Sequence, residues 1–232
     1  MSEESLAVPR HLGIILDGNR RWAKEHNLPI IEGHRQGFLN AKKLGLSLFD
    51  LGIEYVSAYV FSTENWKRSK DEVRDLMKLF LWVAKHEIKE LHADNIRVRM
   101  LGSRERLSKA LLKAIDDAEE LTRHNTRGTL LLCVDYGGHQ EIVDAVKQLV
   151  SRGVKAADVT PELIAENLYE PDVPPVDLVI RTSGEQRLSN FMLWRAAYSE
   201  LLFTKTYWPA LSEEEMREMI DEYGRRQRRF GT

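Results

Sequence analysis

The sequence predicts an α/β domain with a mostly parallel central sheet of about six strands flanked by helices. Three observations predict it. Short apolar runs rich in β-branched residues alternate with longer amphipathic segments along most of the chain. That alternation implies right-handed crossovers, hence parallel strands with helices on both faces. The third observation is continuity: 232 residues carry no internal repeat, low-complexity tract or linker, so one domain with a self-sufficient core is expected. The expected division is a flexible N-terminus over residues 1–10 and a single domain over residues 11–232, the proline-bounded stretch 171–175 being the nearest thing to a break.

Taken in order, strands are expected over residues 12–16, 54–61, 96–101, 129–134 and 176–180, with a weaker one at 201–203. Helical segments between them cover residues 34–51, 70–92, 103–125 and 138–151. Leu107, Leu111, Ala114, Ala118 and Leu121 give the third helix one apolar stripe. Ser69–Glu72 and Ser212–Glu215 match the capping box, and Thr160-Pro161 places proline directly after a cap. The helix launched at Ser69 is unusual, because from Leu76 to Ala84 only Lys78 is polar. Such a helix is either buried on every side or lines a greasy cavity. The segment carrying Phe38, Ala41, Leu44, Leu48, Phe49 and Leu51 is also broadly apolar, so the two together could flank a hydrocarbon-sized cleft.

Composition removes several function classes. A formal charge of −2 argues against a general nucleic-acid binder. Cys133 is the single cysteine, so no intramolecular disulfide can form, and a reducing, cytoplasmic setting is expected. Residues 1–9 are too short and polar for a signal peptide, and no apolar run reaches membrane-spanning length. Neither the dinucleotide fingerprint nor the P-loop is present, and His86, Glu87 and His92 have the wrong spacing for a zinc site. Asp116-Asp117-Ala118-Glu119-Glu120 sits within the helical stripe and reads as a solvated acidic face.

Chemistry concentrates where strands end. The first strand runs into Asp17-Gly18-Asn19-Arg20-Arg21-Trp22, the second into Ser62-Thr63-Glu64-Asn65-Trp66-Lys67-Arg68, and the fifth into the loop from Arg181 to Asn190. In an open α/β sheet, ligands bind beyond the carboxyl ends of the strands. An acid there is placed to hold a metal, and adjacent arginines to grip phosphate oxygens bidentately. Arg20, Arg21, Arg35, Arg68, Arg181 and Arg187 suit two polyanionic groups rather than one.

These motifs, with Gly33-His34, Tyr136-Gly137-Gly138, residues 176–182, Ser189-Asn190-Phe191, Glu200-Leu201 and Arg229-Phe230-Gly231, closely resemble the cis-prenyltransferases, the undecaprenyl diphosphate synthase family. The resemblance covers residues 11–231 and implies a homodimer with an elongated hydrophobic tunnel. It implies condensation of isopentenyl diphosphate onto an allylic diphosphate, farnesyl or geranyl, to give a medium or long Z-polyprenyl diphosphate. By analogy Asp17 is the Mg²⁺-associated catalytic aspartate and Glu200 a second metal carboxylate. Gly18, Asn19, Arg20, Arg21 and His34 match the allylic diphosphate cradle, with Arg68 near it. Arg181, Arg187 and Ser189 match the isopentenyl diphosphate site. Trp22, Ser62, Thr63, Glu64, Trp66 and Leu188 complete the substrate-binding set, and Asn65 matches the residue assigned to proton removal. Arg229 and Gly231 belong to a C-terminal motif expected to complete the dimer partner's site. Slow release of so apolar a product further implies peripheral contact with a membrane.

The chain departs from the family pattern in places. Ile30 stands where an arginine usually precedes the Gly-His motif, Arg20 where some relatives have glycine, and Gln186 where some have a histidine. Asp135 and His139 replace the Asn and Arg that often flank Tyr-Gly-Gly. Two alternative readings are a non-catalytic partner subunit and a phosphate-binding hydrolase. The presence of Asp17, His34, Asn65 and Arg181 weighs against the first, and the apolar helix at residues 76–84 against the second.

Overall fold

A computed structural model describes residues 7–226. Six strands, β1 (His11–Ile15), β2 (Tyr55–Ser62), β3 (Ile96–Leu101), β4 (Gly128–Tyr136), β5 (Leu178–Arg181) and β6 (Glu200–Phe203), form one sheet in the order β3-β4-β2-β1-β5-β6. Every pairing is parallel. The helices are α1 (Asn19–Glu25), α2 (Ile30–Asp50), α3 (Lys70–His86), α4 (Ile88–Ala93), α5 (Lys109–Thr122), α6 (Gly138–Ser151), α7 (Pro161–Ala165) and α8 (Glu213–Arg225). The expected fold class is therefore the observed one.

The differences from expectation are local and have physical causes. The segment foreseen as one helix over residues 70–92 breaks at Glu87, whose carboxylate is drawn to Lys42 of α2 at 2.7 Å. The third helix starts at Lys109 rather than residue 103, because Ser108 accepts a hydrogen bond from the Leu111 N–H at 3.2 Å and fixes the start there. The first expected helix, foreseen over residues 34–51, starts four residues early, at Ile30, directly after Pro29. Helix α1 adds a short helix directly after Gly18 that is not among the expected helical segments.

β1 is central, with β2 on one side and β5 on the other. The strand order reverses at that point, so a crevice opens beyond the carboxyl ends of β1 and β5. The sheet has two unlike faces. Leu131, Cys133, Tyr136, Val179 and Phe191 pack on one of them into a cluster closed to solvent. The other face presents Val56, Ala58 and Val60 of β2, Val98 and Met100 of β3 and Leu130, Leu132 and Val134 of β4 to a cavity of about 760 Å³. Phe38, Ala41, Leu44 and Leu48 of α2 and Leu76, Leu79, Phe80, Val83 and Ala84 of α3 form its opposite wall. Of the α3 apolar residues only Leu76 is fully buried. Between its two readings, that helix lines a cavity.

Candidate active site

The polar mouth of the cavity lies at the switch point. β1 ends at Ile15, and two residues later the Asp17 N–H donates to Thr182 Oγ1 at 3.0 Å while that hydroxyl donates to the Asp17 carbonyl at 2.7 Å. The turn just past β1 is thereby tied to the turn just past β5. Gly18 follows with φ +107°, a left-handed backbone, and a Cβ there would lie 2.8 Å from the Tyr207 ring. Its own N–H donates to the Asp17 carboxylate at 2.7 Å.

That carboxylate is held between two arginines. Arg181, almost wholly buried, donates to Asp17 Oδ2 at 2.9 Å and to Ser189 Oγ and the Arg187 carbonyl, each at 2.7 Å. Arg21 reaches Asp17 Oδ1 and Glu185 Oε1 at 3.3 Å each, and also bonds the Ser183 hydroxyl. Arg187 is exposed and pairs with Glu185 at 2.6 Å. The loop carrying these groups is conformationally unusual: Ser183, Ser189, Asn190 and Met192 all have positive φ. Such backbone persists only where its surroundings hold it, and it gathers at functional sites.

A second cationic cluster faces it. Glu72 of α3 accepts from Arg68 at 3.1 Å, lies 3.7 Å from Arg20 and sits 4.0 Å from His34 Nε2. Burial lowers the His34 pKa to about 4, with Arg68 and Arg20 adding to the effect, so its ring is neutral near pH 7. Glu72 itself was missed by sequence reading, which saw only a capping box. Its backbone N–H does donate to Ser69 Oγ, but its carboxylate turns away from the cap to the arginines.

Asn19, His34, Ser62, Glu64, Asn65, Arg68, Arg181 and Ser189 of the expected set all line the cavity with Asp17, joined by Asn190 of the fifth strand's loop and by His139. Asn65 Oδ1 accepts from the Ser62 N–H at 3.1 Å, and Asn190 and Thr63 both donate to Glu64. Other candidates are not brought to the cavity. Trp22 stacks on His26 at 4.1 Å, Leu188 packs into the closed cluster, and the Trp66 indole N–H donates to Asp135 at 2.8 Å. Glu200 opens β6 opposite Leu178, at the amino edge of the sheet, and pairs with Arg226 at 2.8 Å. Within one chain it does not meet Asp17, which lies beyond the carboxyl edge. Arg229 and Gly231 fall outside the described residues.

Three buried polar atoms have no partner among the described residues: Asn19 Oδ1, His34 Nε2 and Arg181 Nε. All three belong to residues that line the cavity. Buried polar atoms are ordinarily satisfied, so these reserve hydrogen-bonding capacity for a ligand. For a metal, the described residues contain no group of three or more His, Cys, Asp and Glu able to hold one. Mg²⁺ is commonly held by one or two carboxylates plus substrate phosphates and water, so Asp17 among phosphate-binding guanidinia fits a cation that arrives with a diphosphate.

An arginine-rich mouth around the Asp17 carboxylate, set over an apolar cavity at the switch point of a parallel sheet, has the chemistry to take a ligand that joins an anionic group to an apolar chain. Comparison with known proteins agrees. Residues 15–231 match the model of the family described as undecaprenyl diphosphate synthase. A trans,polycis-polyprenyl diphosphate synthase ((2Z,6E)-farnesyl diphosphate specific) of Thermobifida fusca is 48% identical, over 97% of this chain and 81% of its own. An isoprenyl transferase of Thermotoga maritima is 47% identical, over 97% of this chain and 98% of its own. The crystal structure of lavandulyl diphosphate synthase from Lavandula x intermedia, in complex with dimethylallyl diphosphate, superposes with a TM-score of 0.92 at 34% identity, covering 97% of this chain and 99% of that one. The chain belongs to the undecaprenyl diphosphate synthase family of cis-type prenyltransferases.

Proposed function

We propose that the protein condenses isopentenyl diphosphate onto an allylic diphosphate, farnesyl or geranyl, to make a medium or long Z-polyprenyl diphosphate. The observation that carries this reading is the junction of three partnerless buried polar atoms with a 760 Å³ apolar cavity. Phosphate-directed groups without the cavity would equally suit a hydrolase.

In the reaction the allylic C–O bond breaks and its electron pair leaves with the diphosphate. The double bond of isopentenyl diphosphate supplies the pair for the new C–C bond, and a proton is then lost from the carbon that becomes part of the new double bond. Asn19, Arg20, Arg68 and His34 are assigned to the allylic diphosphate, and Arg181, Arg187 and Ser189 to the isopentenyl diphosphate. Charge-assisted hydrogen bonds of this kind contribute about 1.5–3 kcal/mol each. Asp17 would hold Mg²⁺, which when bound would stabilise the charge that develops on the leaving group. Seating both diphosphates at one mouth makes the C–C step effectively unimolecular. Asn65 is a neutral amide and a poor base, so its part is to orient, and the departing diphosphate takes the proton. Each added five-carbon unit that enters the cavity buries apolar surface worth on the order of 4 kcal/mol, which favours elongation over early release.

The assembly proposed is a homodimer. Val143, Val146 and Val150 form an exposed apolar stripe on α6, which a second copy would cover, and residues 229–231 would then complete the partner's site together with Glu200. No helix among the described residues is long and apolar enough to cross a membrane. A cytoplasmic enzyme touching the membrane only to release product fits that finding.

The test is incubation with Mg²⁺, farnesyl diphosphate and labelled isopentenyl diphosphate, beside Asp17→Ala. A ladder of products ending at a defined length, absent in the variant and in chelator, is expected. Failure to incorporate label with farnesyl, geranyl and dimethylallyl primers would sink the proposal.

A further inference from the structure

We infer that Asp135, clamped by Arg106, is a positioning residue that holds the turn carrying Asn65 and Arg68 in place through the indole of Trp66. This rests on the proposed condensation and adds to it a group that does not face the cavity.

Asp135 is the last residue but one of β4, only 1% exposed, with φ +50°. Aspartate is among the few side chains that tolerate that left-handed backbone. A carboxylate taken so fully out of water needs partners, and it has them on both oxygens. Arg106 donates through Nε to Oδ2 at 3.0 Å and through Nη2 to Oδ1, and the Trp66 indole donates to Oδ1 at 2.8 Å. The same arginine lies over the Trp66 ring, 5.2 Å from its centroid, and Phe61 meets the ring edge-on at 5.2 Å. Trp66 is therefore held by an aromatic neighbour, by a guanidinium over its ring and at its one polar atom.

Only the Asp135 end of this ion pair is buried, the Arg106 side chain being half exposed, and such pairs add little to stability on their own. What this one does is join three separate segments: the end of β4, the loop before α5 and the 3₁₀ turn Thr63–Lys67. That turn is the one whose neighbouring residues face the cavity. Asn65, next to Trp66, is closed onto the Ser62 N–H, and Arg68, two residues on, donates its N–H to the Asn65 carbonyl at 3.0 Å. Displacement of the indole would move both groups at the mouth. Asp135 also sits two residues before Gly137, where a Cβ would lie 2.6 Å from Thr63 Oγ1 and 2.7 Å from Asn190 Nδ2. The turn is thus gripped by the β4 end at two points, one polar and one steric.

Trp66→Phe tests this with least disturbance, since the ring stays against Phe61 and Arg106 and only the N–H is lost. Asp135→Asn keeps an acceptor for the indole, whereas Asp135→Ala removes it. Steady-state rates on farnesyl and isopentenyl diphosphates should show kcat lowered about tenfold in Trp66→Phe and in Asp135→Ala, with KM for isopentenyl diphosphate unchanged. Asp135→Asn should stay within about threefold of the native rate, and the double variant Asp135→Ala/Trp66→Phe should be no worse than either single one. Independently of turnover, the indole N–H resonance that disappears in Trp66→Phe should shift in Asp135→Ala and exchange faster with solvent. Unchanged kcat in both single variants, additive losses, or losses that follow thermal unfolding alone would overturn the latch. An inactive native protein would instead overturn the condensation reading, and the indole resonance would still decide whether Asp135 holds Trp66.

Discussion

The two faces of the sheet are built from the same strands, yet one is filled throughout, whereas the other is packed against α2 and α8 at β1 and β5 and hollow over β2, β3 and β4. On the filled face Leu131, Cys133, Tyr136 and Phe191 have no exposure at all, and even the polar groups are locked: Glu141 accepts from Tyr136 and from Arg195, both at 2.5 Å. On the hollow face the strand residues are just as apolar, but α3 meets them with side chains that are mostly half-buried. Strand pattern alone therefore does not decide whether a face becomes core or cavity. What decides it is whether the covering helix comes close enough for its side chains to interdigitate with those of the sheet. Asp17 and Arg181, at the carboxyl ends of the two strands where the order reverses, belong to neither packing and stand where the hollow meets water.

The largest expected effect falls on that boundary. Asp17→Ala should lower product formation by about 10³-fold or more, the scale on which a preorganised charged group at a developing ionic transition state acts. Far-UV circular dichroism should show a folded chain, because the buried Arg181 keeps its bonds to Ser189 Oγ and the Arg187 carbonyl. Loss of folding in this variant would mean that Asp17 anchors the two strand ends mechanically rather than chemically.

Next comes the filled face. Leu131→Ala should destabilise by about 2–5 kcal/mol, measured by urea titration, since a fully buried leucine leaves a cavity that dense packing cannot collapse. Its kcat at a temperature where it is folded should be close to native. A shift in product length instead would show that the filled face also communicates with the tunnel.

How much of this was legible in the sequence follows the same division. The six strands, their mostly parallel direction and the strand-end loops carrying Asp17, Asn65 and Arg181 could be read, because alternation and abrupt polarity changes are local signals, whereas the order of the strands in the sheet could not. The cavity could be read only as one of two possibilities, since a helix apolar on all sides has the same sequence whether it is packed or left standing off. Glu72 escaped because a capping glutamate and an arginine-binding glutamate occupy the same position in the same motif. Trp66 and Trp22 were grouped with the ligand-binding residues because they lie in the right loops, although which way an indole points is set by distant groups such as Asp135. The position of Glu200 could not be read from its motif, because strand polarity determines which edge of the sheet a residue reaches, and within one chain that is the amino edge.

Acid should weaken the two faces together. His11, buried at the start of β1 between Ser57 and the Pro174 carbonyl, and His34, at the mouth, both have pKa values lowered to about 4, chiefly by burial. In the unfolded chain each titrates near about 6.5, so between those values the unfolded state binds more protons and stability falls as pH drops from about 6.5 to about 4. Each histidine accounts for on the order of 3 kcal/mol across that window. His34→Gln should remove its share of the slope in urea titrations at stepped pH. Inorganic diphosphate should do likewise in the native protein, because an anion beside His34 raises its pKa. An identical slope in the variant would place the acid sensitivity elsewhere.

The smallest change in stability is expected where the hollow is lined. Val83→Ala removes two methyl groups that already face empty space, so part of their packing is absent from the start and the loss should be within about 1 kcal/mol. Its effect should appear instead in the product. Enlarging the cavity beside α3 gives the growing chain another place to lie, so the length distribution should move toward longer species while the rate of the first condensation stays native. Val83→Phe should do the reverse and truncate the ladder. A Val83→Ala variant that lost several kcal/mol with its product ladder unchanged would mean that the wall is packed as tightly in solution as the opposite face. The contrast between the two faces would then disappear.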